Sequence, residues 1–159
     1  MTDETLLENQ VTYLYNASAK KLYNLALYSI GDQPLAEQLS VDAFVSAYKH
    51  LPDKTDVTQF RVKSARQLYR KTKRILIDHS WHNAVELNMP ENIEFAYDER
   101  KKRIHSLLNR LNYDERFLLL LFFQQRFSQK QISQILYIPR FIIKKRLFQT
   151  LNKAINMWV

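Results

Sequence analysis

The chain contains a single glycine, Gly31, among its 159 residues. Glycine adopts positive backbone φ angles at low cost, and hairpin turns and phosphate-binding loops require such angles. The scarcity therefore argues against a β-sandwich. It also excludes Rossmann, P-loop and kinase-type nucleotide sites, each of which needs several glycines close together. The chain has no cysteine, which excludes disulfides, thiolate metal sites and cysteine nucleophiles.

Apolar residues in the first half recur at spacings of three and four, which predicts amphipathic helices. A first helix is expected to stop at Gly31, and a second to begin near Pro34 and end before Pro52. A third helix is predicted from Thr58 to about Trp81. The chain is thus predicted to be all-α.

Residues 83–99 show no sustained periodicity, contain a proline and carry acidic but no basic side chains. These features are typical of a linker. We therefore predict two helical domains, residues 1–82 and 100–159, joined by the acidic linker 83–99.

The second half carries two local signals for helix starts, Asn112 with Glu115 and Ser128 with Gln131, which are spaced as capping boxes. Between them, residues 117–123 are entirely apolar. This run is too short for a membrane span, which takes about 20 residues. We predict a helix buried on all sides, in preference to a cofactor or lipid groove.

A short helix is predicted from Ser128 to about Leu136, followed by a break at residues 137–139 and a last helix beginning near Pro139. The last helix has apolar residues at four-residue spacing: Ile143, Leu147, Leu151 and Ile155. Two helices joined by a tight turn, the second of them basic, predict a helix-turn-helix that reads the DNA major groove.

Positive charge is concentrated in two blocks of a chain whose net charge is +8. Residues 60–82 hold seven basic side chains and one acidic, and no acidic side chain follows Glu115. Fields of this kind attract polyanions such as nucleic acids. The alternative is a solvated basic surface with no partner.

Three segments resemble the extracytoplasmic-function (ECF) group of bacterial RNA polymerase sigma factors. Residues 22–51, LYNLALYSIGDQPLAEQLSVDAFVSAYKHL, resemble the group's conserved helix pair, and residues 74–79, RILIDH, resemble the end of its promoter-melting helix. Residues 111–151, with FSQKQISQILYIP at 127–139 and KKRLF at 144–148, are similar to its second domain. The resemblance covers nearly the whole chain in the family's order.

The resemblance implies three binding surfaces and no catalytic residue, metal or cofactor. Contacts to core RNA polymerase are expected at Gln38, Asp42, Phe44 and Tyr48. Contacts to the minus-ten element of the promoter are expected at Phe60, Lys63, Arg66, Tyr69, Arg70, Lys73 and Arg74. Contacts to the minus-thirty-five element are expected at Arg140, Lys144, Lys145, Phe148 and Gln149.

The resemblance implies a cytoplasmic transcription initiation factor that is not an enzyme, whose partners are core polymerase, promoter DNA and, in some members, an anti-sigma factor. The chain departs from the family where Gln38 and Asp42 replace the usual aspartate and glutamate. In the second domain Tyr137 replaces a common glycine, and Phe141-Ile142 replace a common Gly-Thr. A stand-alone helix-turn-helix regulator, or a sigma-like regulator that has lost one promoter contact, therefore stays open as an alternative.

Two further classes also stay open on the residues alone. Asp78, His79 and His82 share a helix face and would suit a metal-dependent hydrolase, although no further ligand is evident. The second open class is a helical protein-interaction module. The acidic N-terminal residues are unlike the basic start of a signal peptide, so we expect neither export nor membrane insertion.

Overall fold

The computed structural model describes residues 2–78 and 99–158, and within these ranges it contains helices and no strand. The prediction of an all-α fold is confirmed. The helices are α1 (Asp3–Ile30), α2 (Gln33–Lys49), α3 (Val57–Asp78), α4 (Glu99–Arg110), α5 (Tyr113–Leu119), α6 (Gln129–Leu136) and α7 (Arg140–Trp158). A π-helical turn, Leu120–Gln124, continues α5. Of the predicted linker 83–99, only Glu99 lies within the described residues, and it begins α4.

The first two helices end and begin where the sequence predicts. Gly31 follows α1 in the left-handed conformation, with φ 78°, and its N–H donates to the Leu27 carbonyl. Only glycine takes this conformation without steric cost, so Gly31 sets the end of α1. The Asp32 carboxylate then accepts from the Leu35 N–H and caps α2.

Both predicted capping boxes are confirmed. Asn112 and Glu115 exchange side-chain and backbone hydrogen bonds at the start of α5, and Ser128 and Gln131 do the same at the start of α6. Each box satisfies two backbone N–H groups that the first turn of a helix leaves without partners.

The prediction that residues 117–123 form a helix buried on all sides is correct only for the first part of the run. Residues 117–121 are buried, but the helix changes to π geometry at Leu120, and Phe123 is 54% exposed. The π turn adds a residue per turn and so rotates the end of the run towards the surface.

The apolar stripe predicted for α7 also needs a correction at its end. Ile143 and Leu147 are buried, but Ile155 is 63% exposed. A strict four-residue spacing advances about 40° around the helix at each step, so the stripe drifts off the buried face. Thr150 and Ala154 take the buried positions instead.

The main hydrophobic core draws on both halves of the chain. Its buried members include Leu25, Ala26 and Leu68 from the first half and Phe117 and Leu121 from the second. A smaller cluster of Leu14, Ala47, Leu51 and Phe60 lies within the first half. The halves pack on each other through this shared core, and the division of the chain into two domains stays a prediction.

Arg116 is fully buried at the junction of the halves. Its Nε donates to the Ser29 carbonyl near the end of α1, 3.1 Å away, and its Nη1 donates to the Leu108 and Leu111 carbonyls at the end of α4. A cation at two helix C-termini meets the negative ends of both helix dipoles. Burial lowers the pKa of Arg116.

Candidate nucleic-acid interface

The predicted helix-turn-helix falls on α6 and α7, which are joined by a short turn at residues 137–139. Tyr137 is in the left-handed conformation, with φ 56°, and its N–H donates to the Ser133 carbonyl. A residue with a Cβ atom pays a steric cost there, which explains why glycine suits this position. The Ser133 hydroxyl donates to the Ile138 carbonyl at 2.6 Å and holds the turn together.

The five residues predicted to contact the minus-thirty-five element lie along α7 and are all exposed: Arg140, Lys144, Lys145, Phe148 and Gln149. None of their side chains makes a hydrogen bond or ion pair with another residue in the described part of the chain. Phe141, one of the positions where the chain departs from the family, is 73% exposed beside them. The outer side of α7 is therefore a cationic surface flanked by two exposed aromatic rings.

The seven predicted minus-ten residues fall into three environments on α3. Phe60 is fully buried, with its ring 4.8 Å from that of Phe44, so it would have to become exposed to reach DNA. Arg70 and Arg74 are exposed and Lys63 is half-buried. Arg66, Tyr69 and Lys73 contact the second half of the chain.

Asp114, in the first turn of α5, holds two of these α3 side chains. One carboxylate oxygen accepts from the Tyr69 hydroxyl at 2.9 Å, and the other pairs with the Lys73 ammonium at 2.9 Å. Burial, then the Asp114 charge, raise the pKa of Tyr69. The Tyr69 ring also packs against Phe117, 5.2 Å between centroids.

Arg66 lies one turn before Tyr69, and its guanidinium lies 3.6 Å from the centre of the Tyr137 ring. Its Nε is buried without a hydrogen-bond partner, so the flat ring is its main contact. Burial, then the charge of Arg70, lower the pKa of Arg66. Arg66 and Lys73, both expected to contact the minus-ten element, are half-buried.

The four predicted polymerase contacts on α2 do not share one surface. Gln38 and Asp42 are exposed, whereas Phe44 and Tyr48 are half-buried and pack against the small cluster around Phe60. The exposed stripe is instead Gln38, Val41, Asp42 and Val45, with Val41 60% and Val45 45% exposed. The two valines were missed, although Val41 lies three positions after Gln38 and Val45 four positions after Val41, a spacing that could have indicated them.

An apolar groove lies beside the run 117–123, where the sequence favoured a helix buried on all sides. It has a volume of about 530 Å³ between α1, α4, α5, the π turn and α7, and is lined by apolar side chains that include Ile104, Leu107, Phe123 and Leu151. Its walls come from five elements, and the rotation of Phe123 to the surface depends on the π turn. Neither feature has a local sequence signal.

The described residues hold no group of three side chains that could ligate a metal ion. His79 and His82 of the predicted cluster lie outside the described residues. Among the helices of 2–78 and 99–158, none is long and apolar enough to cross a membrane.

Comparisons with known families and with curated proteins found no match: no family model and no curated protein matches this chain.

Proposed function

We propose that this chain is a sigma factor of the ECF type, which binds core RNA polymerase in the cytoplasm and directs it to a promoter. The exposed cationic face of α7 carries the proposal, because all five residues that the resemblance assigns to the minus-thirty-five element are exposed on it. Basic and amide side chains on the second helix of such a unit are suited to phosphates and base edges in the major groove.

The exposed stripe of α2 supports docking to a protein. Gln38 and Asp42 can exchange hydrogen bonds with a partner, while Val41 and Val45 offer apolar surface between them. Exposed valines next to a carboxylate are unsuited to the anionic surface of DNA. This stripe therefore favours a factor that binds polymerase over one that binds DNA alone.

Run-off transcription tests the proposal. The purified chain is mixed with sigma-free bacterial core polymerase and a pool of genomic fragments from its own source. Discrete transcripts that depend on the added chain are expected. Core binding without transcripts would contradict promoter recognition, and absence of both would contradict the sigma assignment.

The strand-opening role of α3 has its own test. Arg70 and Lys73 changed together to alanine are expected to reduce permanganate reactivity of promoter thymines more than they reduce polymerase binding. Wild-type reactivity in this variant would remove α3 from promoter opening.

A second candidate is a stand-alone helix-turn-helix regulator, or a sigma-like regulator that has lost the minus-ten contact. The packing of Arg66, Tyr69 and Lys73 against the second half favours it, because in this arrangement the α7 face is open and much of the α3 face is covered. A regulator of this kind would bind a specific duplex without polymerase, and the affinity would fall linearly on a log–log plot against salt.

A further inference from the structure

We propose that the second half of the chain inhibits α3 by presenting groups that imitate a nucleic acid strand: the Asp114 carboxylate in place of a phosphate and the Tyr137 ring in place of a base. The inference rests on the proposed function, since it assumes that the basic face of α3 binds promoter DNA. It adds that the free chain holds this face closed.

The imitation of the phosphate follows from the contacts of Asp114. Its two oxygens take an ammonium donor from Lys73 and a hydroxyl donor from Tyr69, each at 2.9 Å. Lysine and tyrosine donors of this kind are among those that proteins direct at DNA phosphates. Asp114 is about half exposed, so a phosphate can approach and compete for the same two donors.

The imitation of the base follows from the contact of Arg66 with Tyr137. The guanidinium lies 3.6 Å from the ring centre, the type of cation–π contact that arginine also makes with a base. The Tyr137 ring is 68% exposed and is held by no other aromatic contact in the described ranges, so a base could replace it.

The Tyr137 ring and the Asp114 carboxylate contact successive turns of one face of α3. Arg66 meets the ring, and Tyr69 and Lys73, one and two turns further on, meet the carboxylate. A bound strand offers bases and phosphates in a similar alternation. Arg70 and Arg74 stay exposed beside them and provide a first point of contact for a competing strand.

The test removes both imitating groups from the full-length chain. Asp114→Asn keeps the size of the side chain but removes its charge, and Tyr137→Gly removes the ring at a position whose positive φ suits glycine. The double variant and the wild type are titrated against a fluorescent single-stranded oligonucleotide of about 20 nucleotides, a length that exceeds one binding site. We expect the double variant to bind about tenfold more tightly, which is the gain if nine molecules in ten are closed.

A matched control variant also removes one carboxylate charge and one tyrosine ring, but at positions away from the α3 face. Glu8→Gln with Tyr13→Ala does so on the exposed side of α1, far along the chain from α3 and α6. Its affinity should equal that of the wild type. Adding Arg70→Ala and Arg74→Ala to the opened variant should abolish the gain, because the gain depends on the face of α3.

Because the chain has no cysteine, Thr58→Cys and Lys130→Cys allow two spin labels to be attached, one on α3 and one on α6. The distance distribution is expected to be narrow in the free chain. It should broaden in the opened variant and when the oligonucleotide is added.

Equal affinity of wild type and opened variant would overturn this inference and leave the proposed function standing. If the labels separate but no variant binds the oligonucleotide, α3 does not bind single strands. The inference and the first-half part of the proposed function would then both be wrong.

Discussion

Arg116 is a single residue that stabilises the contact between the two halves of the chain. One guanidinium donates to carbonyls at the ends of α1 and α4, although these helices are far apart in the sequence. Backbone carbonyls buried without partners are costly, so the residue supports both helix ends at once. No local pattern could indicate this role, because the acceptors lie up to 87 positions away.

Arg116→Leu is expected to destabilise the fold by about 3 kcal/mol, since it leaves buried carbonyl oxygens without donors and removes a well-packed side chain. A fall in melting temperature of roughly 10 °C should follow for a chain of this size. Thermal unfolding followed by circular dichroism measures it. Arg140→Leu, at an exposed arginine, is the control and should change the melting temperature by no more than a degree or two. Equal shifts for both would contradict the role of Arg116.

His105 is expected to make stability depend on pH in mildly acidic solution. Burial, then the charge of Arg116, lower the pKa of His105 below its usual value of 6.5. The unfolded chain therefore takes up this proton first, and stability is lost as the pH falls from about 6.5 through the folded pKa. Denaturant midpoints for wild type and His105→Gln at about pH 7.5 and about pH 5 test this. The wild type should lose more stability than the variant, and parallel losses would remove His105 as the cause.

At the scale of elements, the helix ends were the best predicted features. The end of α1 at Gly31, the two capping boxes and the break at residues 137–139 all depend on residues within one or two turns of each other. Such signals can be read from a short window. The π turn and the exposure of Ile155 could not be predicted in this way, because they depend on how the helices pack.

DNA binding is most directly tested by substitutions on the outer face of α7. Lys144→Ala and Lys145→Ala are each expected to weaken duplex binding. If the lysine contacts a phosphate, the slope of log affinity against log salt should fall by about 1. Fluorescence anisotropy over a salt series measures both quantities. Lys49→Ala, which removes an exposed lysine at the end of α2, should change neither. Unchanged slopes in both α7 variants would remove this face from the DNA interface.

At the scale of the whole molecule, the candidate sites were predicted as three separate surfaces, and their positions in the sequence could not indicate how they meet. The structure brings the face of α3 against α5 through Asp114 and against the α6–α7 turn through Tyr137. Pairings of this kind join residues more than 40 positions apart and have no periodic signal. The shared core also joins residues that are far apart in the sequence, because buried residues of α1 and α3 pack with those of α5.

The shared core predicts that the two halves unfold together. If Arg116 loses its hydrogen bond to α1 and Phe117 its contact with Tyr69 of α3, the first half is left with exposed apolar surface, and neither half keeps a full core. Calorimetry should give one transition whose calorimetric and van't Hoff enthalpies agree. Native-state hydrogen exchange should give the slowest amides of α1 and α5 the same opening free energy. Two transitions, or a first half that exchanges at a different free energy from the second, would instead support independent domains.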